Sequence, residues 1–164
     1  MDKYKILPNK WIRKQMFDLL NNIDVVVEFP TETQTFTIPC YDTRVSGVDN
    51  PNYYILLTTQ SNEVDKNNKC EWFWESEILI DIVTIYPRGG NPGSRLIGDE
   101  ILEEVRYLTE QFEMPSESGL NVITRTQSFP NDLFLSTDSE NILEILCVCS
   151  CLLSKNKILY LWIN

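Results

Sequence analysis

The chain has 164 residues, 43% of them apolar, with 14 basic against 24 acidic side chains for a net charge of −10 and a sequence pI near 4.4. That is enough apolar content for one core in a single domain, 1–164, and too little basic charge for a protein that grips duplex phosphates. Histidine is absent, which removes the commonest general base and metal ligand, and five cysteines with no leader-like segment point to reduced thiols in a cytosol.

Pro8 can open a first helix, in which Trp11, Ile12, Met16, Phe17, Leu19, Leu20 and Ile23 recur at helical spacing, predicting a helix over 8–22. The first twenty residues carry five basic against two acidic groups, a net of +3 that leaves −13 for the rest. A basic terminus on an acidic body suits either a grip on a neighbour or a solvated helix end. Val25 to Phe29 is a short β-branched run stopped by Pro30, Thr31 to Cys40 alternates like a strand or arm, and Tyr41 to Asn52 is a loop.

Tyr53 to Val64 and Trp72 to Tyr86 predict two strands joined by a polar turn, a hairpin over 53–86. The second strand alternates, with Trp72, Trp74, Ser76, Ile78, Ile80, Ile82 and Thr84 on one face and Phe73, Glu75, Glu77, Leu79, Asp81 and Val83 on the other. Its span of roughly 50 Å, against ~17–20 Å for an ordinary strand, predicts a protruding hairpin whose tip meets another subunit. Trp72, Phe73 and Trp74, with Tyr53 and Tyr54, are the expected interface aromatics.

Gly89, Gly90, Asn91, Pro92 and Gly93 then break the chain before a helix over 92–113, with Leu96, Ile97, Ile101, Leu102, Val105, Leu108 and Phe112 as its apolar stripe. This strand–glycine–helix passage has the shape of a phosphate cradle, but it lacks the lysine and Pro92 removes a backbone donor, so it reads as a structural turn. Strands are expected at Leu120 to Phe129, Leu133 to Thr137, Ile142 to Leu153 and Ile158 to Ile163, with a turn at Lys155 to Lys157. Together these predict an α+β domain, an antiparallel sheet with a long hairpin flanked by two main helices and C-terminal strands over 120–163.

Two clusters carry possible chemistry. Cys147, Cys149 and Cys151 share one strand face, but no Cys-x-x-Cys knuckle accompanies them, so they read as a row of buried thiols and no metal is expected. Glu75, Glu77 and Asp81 also share a face and could do acid–base work, although a wet acidic surface explains them more simply. No segment has the ~18 uninterrupted apolar residues of a membrane span.

The ordered set Tyr53-Tyr54-Ile55-Leu56-Leu57-Thr58-Thr59-Gln60, Trp74-Glu75-Ser76, Asp81-Ile82-Val83-Thr84-Ile85-Tyr86-Pro87 and Gly89-Gly90-Asn91-Pro92-Gly93-Ser94-Arg95 resembles the head–tail connector proteins of tailed bacteriophages. The likeness covers roughly Pro8 to Leu135 and is to the tail-terminator or neck-ring type, most nearly that of crAss-like phages. The resemblance implies a virion structural protein, made in the host bacterial cytoplasm, with no catalytic residues and no cofactor. It implies a ring of six or twelve copies between portal or connector and tail, through which duplex DNA passes without tight binding. An acidic lumen suits that passage, because it repels phosphate. The candidates for its lining are Glu75 and Glu77 on the hairpin, or Glu100, Glu103 and Glu104 on the second helix. The rival readings are a small cytosolic adaptor or immunity-type protein with one protein partner, and an enzyme using Glu75, Glu77 or Asp81.

Overall fold

The computed structural model describes residues 8–43, 51–67, 71–87, 93–129, 132–136 and 140–156. The elements are α1 (Asn9–Leu20), β1 (Ile23–Glu28), β2 (Thr33–Ile38), β3 (Cys40–Asp42), β4 (Tyr53–Asn67), β5 (Glu71–Pro87), α2 (Gly93–Glu110), β6 (Asn121–Ser128), β7 (Asp132–Ser136) and β8 (Glu140–Asn156). The protein is α+β. Six strands form one sheet in the order β3-β4-β5-β8-β6, with β7 also on β8, and β1 and β2 form a separate hairpin. Among the described residues only the β3–β4 pair is parallel.

The hairpin is not a free two-stranded arm. β8 lies antiparallel to β5 over its whole length, from Glu71 opposite Asn156 to Pro87 opposite Glu140. A third strand of 17 residues therefore matches the 17 of β5. The expected turn at Lys155 is also displaced: Lys155 belongs to β8, where its Nζ donates to the Ser118 carbonyl at 3.0 Å and ties the strand end to the approach to β6. The apolar run in the sequence ends at Leu153, but pairing with β5 carries the ladder three residues further. On its outer side β8 holds two strands in tandem, β6 along residues 148–154 and β7 along 141–145.

Alternation divides the sheet into two faces. One is covered by both helices. It is built from Ile55, Leu57, Ile78, Ile80, Ile82, Leu143, Ile145, Cys147, Cys149, Cys151 and Leu153, against Ile12, Met16 and Leu20 of α1 and Ile97, Ile101 and Val105 of α2. The β1–β2 hairpin packs on α2 through Val25 and Val27.

One polar clamp fixes α1 to the sheet edge. β4 carries an extra residue opposite β5 between Leu57 and Gln60, so backbone groups there leave the ladder. Arg13 donates to the carbonyls of Leu57 at 2.7 Å and Thr58 at 3.0 Å, and to the side chains of Asp42 and Thr43. Thr43 sits at φ 72, a conformation a β-branched residue holds only under constraint. Replacing Arg13 by alanine should strip the charged donor from both carbonyls and leave Thr43 held by its own N–H to Leu57 O at 2.9 Å, lowering the unfolding free energy by about 1–3 kcal/mol in urea titrations. An unchanged midpoint would show that the clamp is idle.

Candidate interaction surfaces

Three surfaces carry the functional candidates. The first lies on the helix side. Helical spacing puts Glu100, Glu103, Glu104 and Tyr107 of α2 on one flank, facing Asp24, Val25 and Val26 of β1 across a groove of about 320 Å³. Asp24 accepts a hydrogen bond from Thr37 at 2.6 Å. Arg95, the one α2 cation with an ion pair among the described residues, is turned toward Asp99 and Asp132 instead. The groove is thus a concentrated negative surface, suited to repelling phosphate or receiving a cation.

The second acidic set lies elsewhere. Glu75 and Glu77 point away from the helices, with Glu63 paired opposite Glu75 and Ser150 donating to Glu77 at 3.1 Å. The two sets offered by the sequence stand on opposite sides of the sheet, so they do not share one wall.

The third surface is part of the sheet face opposite the helices, where Tyr54, Leu56, Leu79, Val83, Leu146 and Val148 surround two carboxyls, Asp81 and Glu144. Tyr54 meets Tyr41 edge to face at 6.0 Å. Asp81 is only 6% exposed, and its Oδ1 has no hydrogen-bond partner. Burial, reinforced by the nearby Glu144 charge and opposed by Thr58, pushes its carboxyl up to about 6. Burial and the same two carboxylates raise the Tyr54 phenol. Glu75, Glu77 and Asp81 do share a strand face, but Asp81 alone of the three is buried.

The hairpin aromatics are largely used within the chain. Trp74 is 6% exposed, in phase with Ile78, Ile80 and Ile82 and flanked in register by Val64 and Leu153. It is an interior residue, because β8 completes the sheet beside it, and the interface reading does not extend to it. Phe73 is half-buried on the face opposite the helices, and Tyr53 is half-buried with its ring 5.5 Å from that of Phe36. The backbone of Trp72 lies in β5, and its side chain is outside the described residues, as are the turn residues Gly89, Gly90, Asn91 and Pro92 and the expected strand Ile158 to Ile163. Gly93 is the first residue of α2.

Cys147, Cys149 and Cys151 share the buried face, with the first two sulfurs 3.7 Å apart. Burial pushes Cys151 up to about 12, as it does Cys40, and Cys147 is raised by its hydrogen bond with Cys149 and by burial. Cys149 is lowered instead, chiefly by its hydrogen bond with Cys147 and against its burial. Cys40, Cys147 and Cys151, held protonated, act as packing groups. Among the described residues no group of three or more His, Cys, Asp or Glu is arranged to hold a metal, and no helix is long and apolar enough to cross a membrane.

The sequence reading missed the β7 edge. Leu133, Phe134 and Leu135 are 46%, 56% and 48% exposed, and Ile123 and Phe129 on the same margin are exposed as well. Three consecutive apolar residues carry no alternation, so nothing in the local pattern marks them as a surface. No protein-family model matches the chain, and comparison with curated proteins returns no significant relative.

Proposed function

We propose that the chain is a structural subunit of a ring in the head–tail connector of a tailed bacteriophage, of the tail-terminator or neck-ring type, surrounding the DNA channel between portal or connector and tail. The observation that carries this reading, beyond the likeness of its sequence motifs, is the gathering of Asp24, Glu100, Glu103 and Glu104 on the helix side, away from Glu75 and Glu77. A surface of that kind facing a lumen keeps a passing duplex from sticking, since phosphate contacts are the main source of non-specific affinity. The aromatic residues Tyr54 and Phe73, half-buried on the opposite face, remain for contact with neighbouring proteins.

The test is the arrangement of the chain in the assembled particle. Two-dimensional class averages should show closed cyclic symmetry, and a lone, unrepeated copy would sink the reading. The unmodified protein should show no measurable duplex affinity at ~0.15 M salt. The variant Glu100→Lys, Glu103→Lys, Glu104→Lys should enter the ~10⁻⁴–10⁻⁶ M range of non-specific binders, with an affinity that falls steeply as salt rises. Tight binding by the unmodified chain would overturn the conduit. A 1:1 monomeric complex with one partner protein would favour the adaptor reading.

A further inference from the structure

The open margin of β7 calls for a covering strand. β7 pairs with β8 on one side only, and among the described residues no strand lies along its other side. Its three apolar side chains are exposed on both faces at once, Leu133 and Leu135 on one and Phe134 on the other. An apolar edge with no partner strand among the described residues is a template for strand addition, and soluble proteins rarely leave one bare. Exposed Phe129 and Ile123 extend the apolar margin toward β6.

The sequence holds one segment matched to it outside the described residues. Ile158-Leu159-Tyr160-Leu161-Trp162-Ile163 is uncharged and apolar at every position, so in extended form it offers apolar side chains on both faces. It follows β8, whose described end is Asn156. That end lies opposite Glu71, whereas β7 pairs with Asn141 to Ile145. The eleven to fifteen intervening residues place the two ends ~36–50 Å apart along the strand. Ile163, seven residues past Asn156, reaches at most ~25 Å from it, and Ile158 about 7 Å. By chain length alone the segment therefore falls short of the β7 edge of its own chain, and a β7 edge in its reach must belong to another copy.

We propose that Ile158–Ile163 of one copy adds as a strand along the outer edge of β7 in a second copy. Donor and acceptor stand at opposite ends of the long sheet, so the contact is heterologous and repeats head to tail, which closes into a ring when the rotation allows. The proposal rests on the ring reading only in requiring self-association.

The experiment uses the full chain with Cys70→Ser to quiet the one cysteine outside the described residues. Leu135→Cys and Leu161→Cys are made in separate preparations, mixed under assembling conditions and treated with a short bis-maleimide. A covalent dimer should form only in the mixture. In parallel, Leu133→Lys with Leu135→Lys changes side chains that are exposed in the monomer, so thermal unfolding should be retained. Self-association should weaken roughly 30-fold, as for loss of an interface hot spot. Rings that persist unchanged in this variant, or that form without cross-linking between the two cysteines, would overturn the strand addition and leave the ring standing. A chain that is monomeric both in solution and in the particle would overturn both. Cross-linking within single chains of the doubly substituted protein at high dilution would overturn the reach argument.

Discussion

Asparagine in place of Asp81 should raise the unfolding free energy by about 2–3 kcal/mol at pH 7 and leave it nearly unchanged at pH 4. Asp81 is only 6% exposed, with Oδ1 buried and unpartnered, and its folded pKa is about 6 against the ordinary 3.8. At low pH both folded and unfolded chains hold the proton, so the site costs nothing. Between pH 4 and 6 the unfolded chain releases it while the folded chain keeps it, and stability falls. Above pH 6 the folded chain must also carry the charge, and the loss is complete. Asparagine never ionises and has nearly the same shape, so it removes the pH-dependent part and leaves the packing of Leu56, Leu79, Val83 and Leu146 in place. Glu144 raises Asp81 as the second cause after burial, so Glu144→Gln should shift the same transition in the same direction by less. The measurement is urea unfolding from pH 4 to 8. An Asp81→Asn gain equal at every pH would mean the effect is packing and not ionisation.

The parts of this fold that were legible are those in which local periodicity and burial agree. The stripe Ile97, Ile101, Val105 and the alternation Ile78, Ile80, Ile82 both lie where their spacing put them, and the cysteine row faces inward as a strand of small apolar side chains should. What the local pattern lacked was pairing. Nothing within Trp72 to Tyr86 states that a third strand of equal length lies beside it, and without that partner the length of β5 argues for an arm. The same gap conceals Trp74, which has the phase of a core residue although its place near the end of a long strand suggests a tip. It also concealed β7, whose exposure comes from being the last strand on its side of β8 and not from its composition. The acidic residues were identifiable one by one. Their separation into a helix-side groove and a sheet-side patch required knowing which face the helices cover, since Asp24 and Glu104 are 80 residues apart and meet only because α2 packs on β1.

Leucine at position 98 should cost about 3 kcal/mol or more, whereas alanine there should stay within about 1 kcal/mol of the parent. Gly98 lies where α2 packs closely on the sheet. A Cβ on it would stand 3.3 Å from Ile145 Cδ1, 3.5 Å from Leu143 Cδ2 and 3.6 Å from Thr84 Cγ2. A single methyl presses on the flexible tip of Ile145, and the roughly 1 kcal/mol gained by removing glycine from a helix interior offsets that crowding. The three further carbons of leucine have no space in a layer made of Thr84, Leu143 and Ile145, all buried, so the helix must rise or rotate. Either movement uncovers Ile97, Ile101 and Val105 and carries Glu100, Glu103 and Glu104 away from Asp24. Gly98→Leu should therefore lower the urea midpoint and also open the acidic groove, which hydrogen exchange of α2 and β1 amides would register as lost protection confined to that pair before global unfolding. Full stability in Gly98→Leu would show that α2 has slack against the sheet, and the close packing assigned to this position would then be wrong.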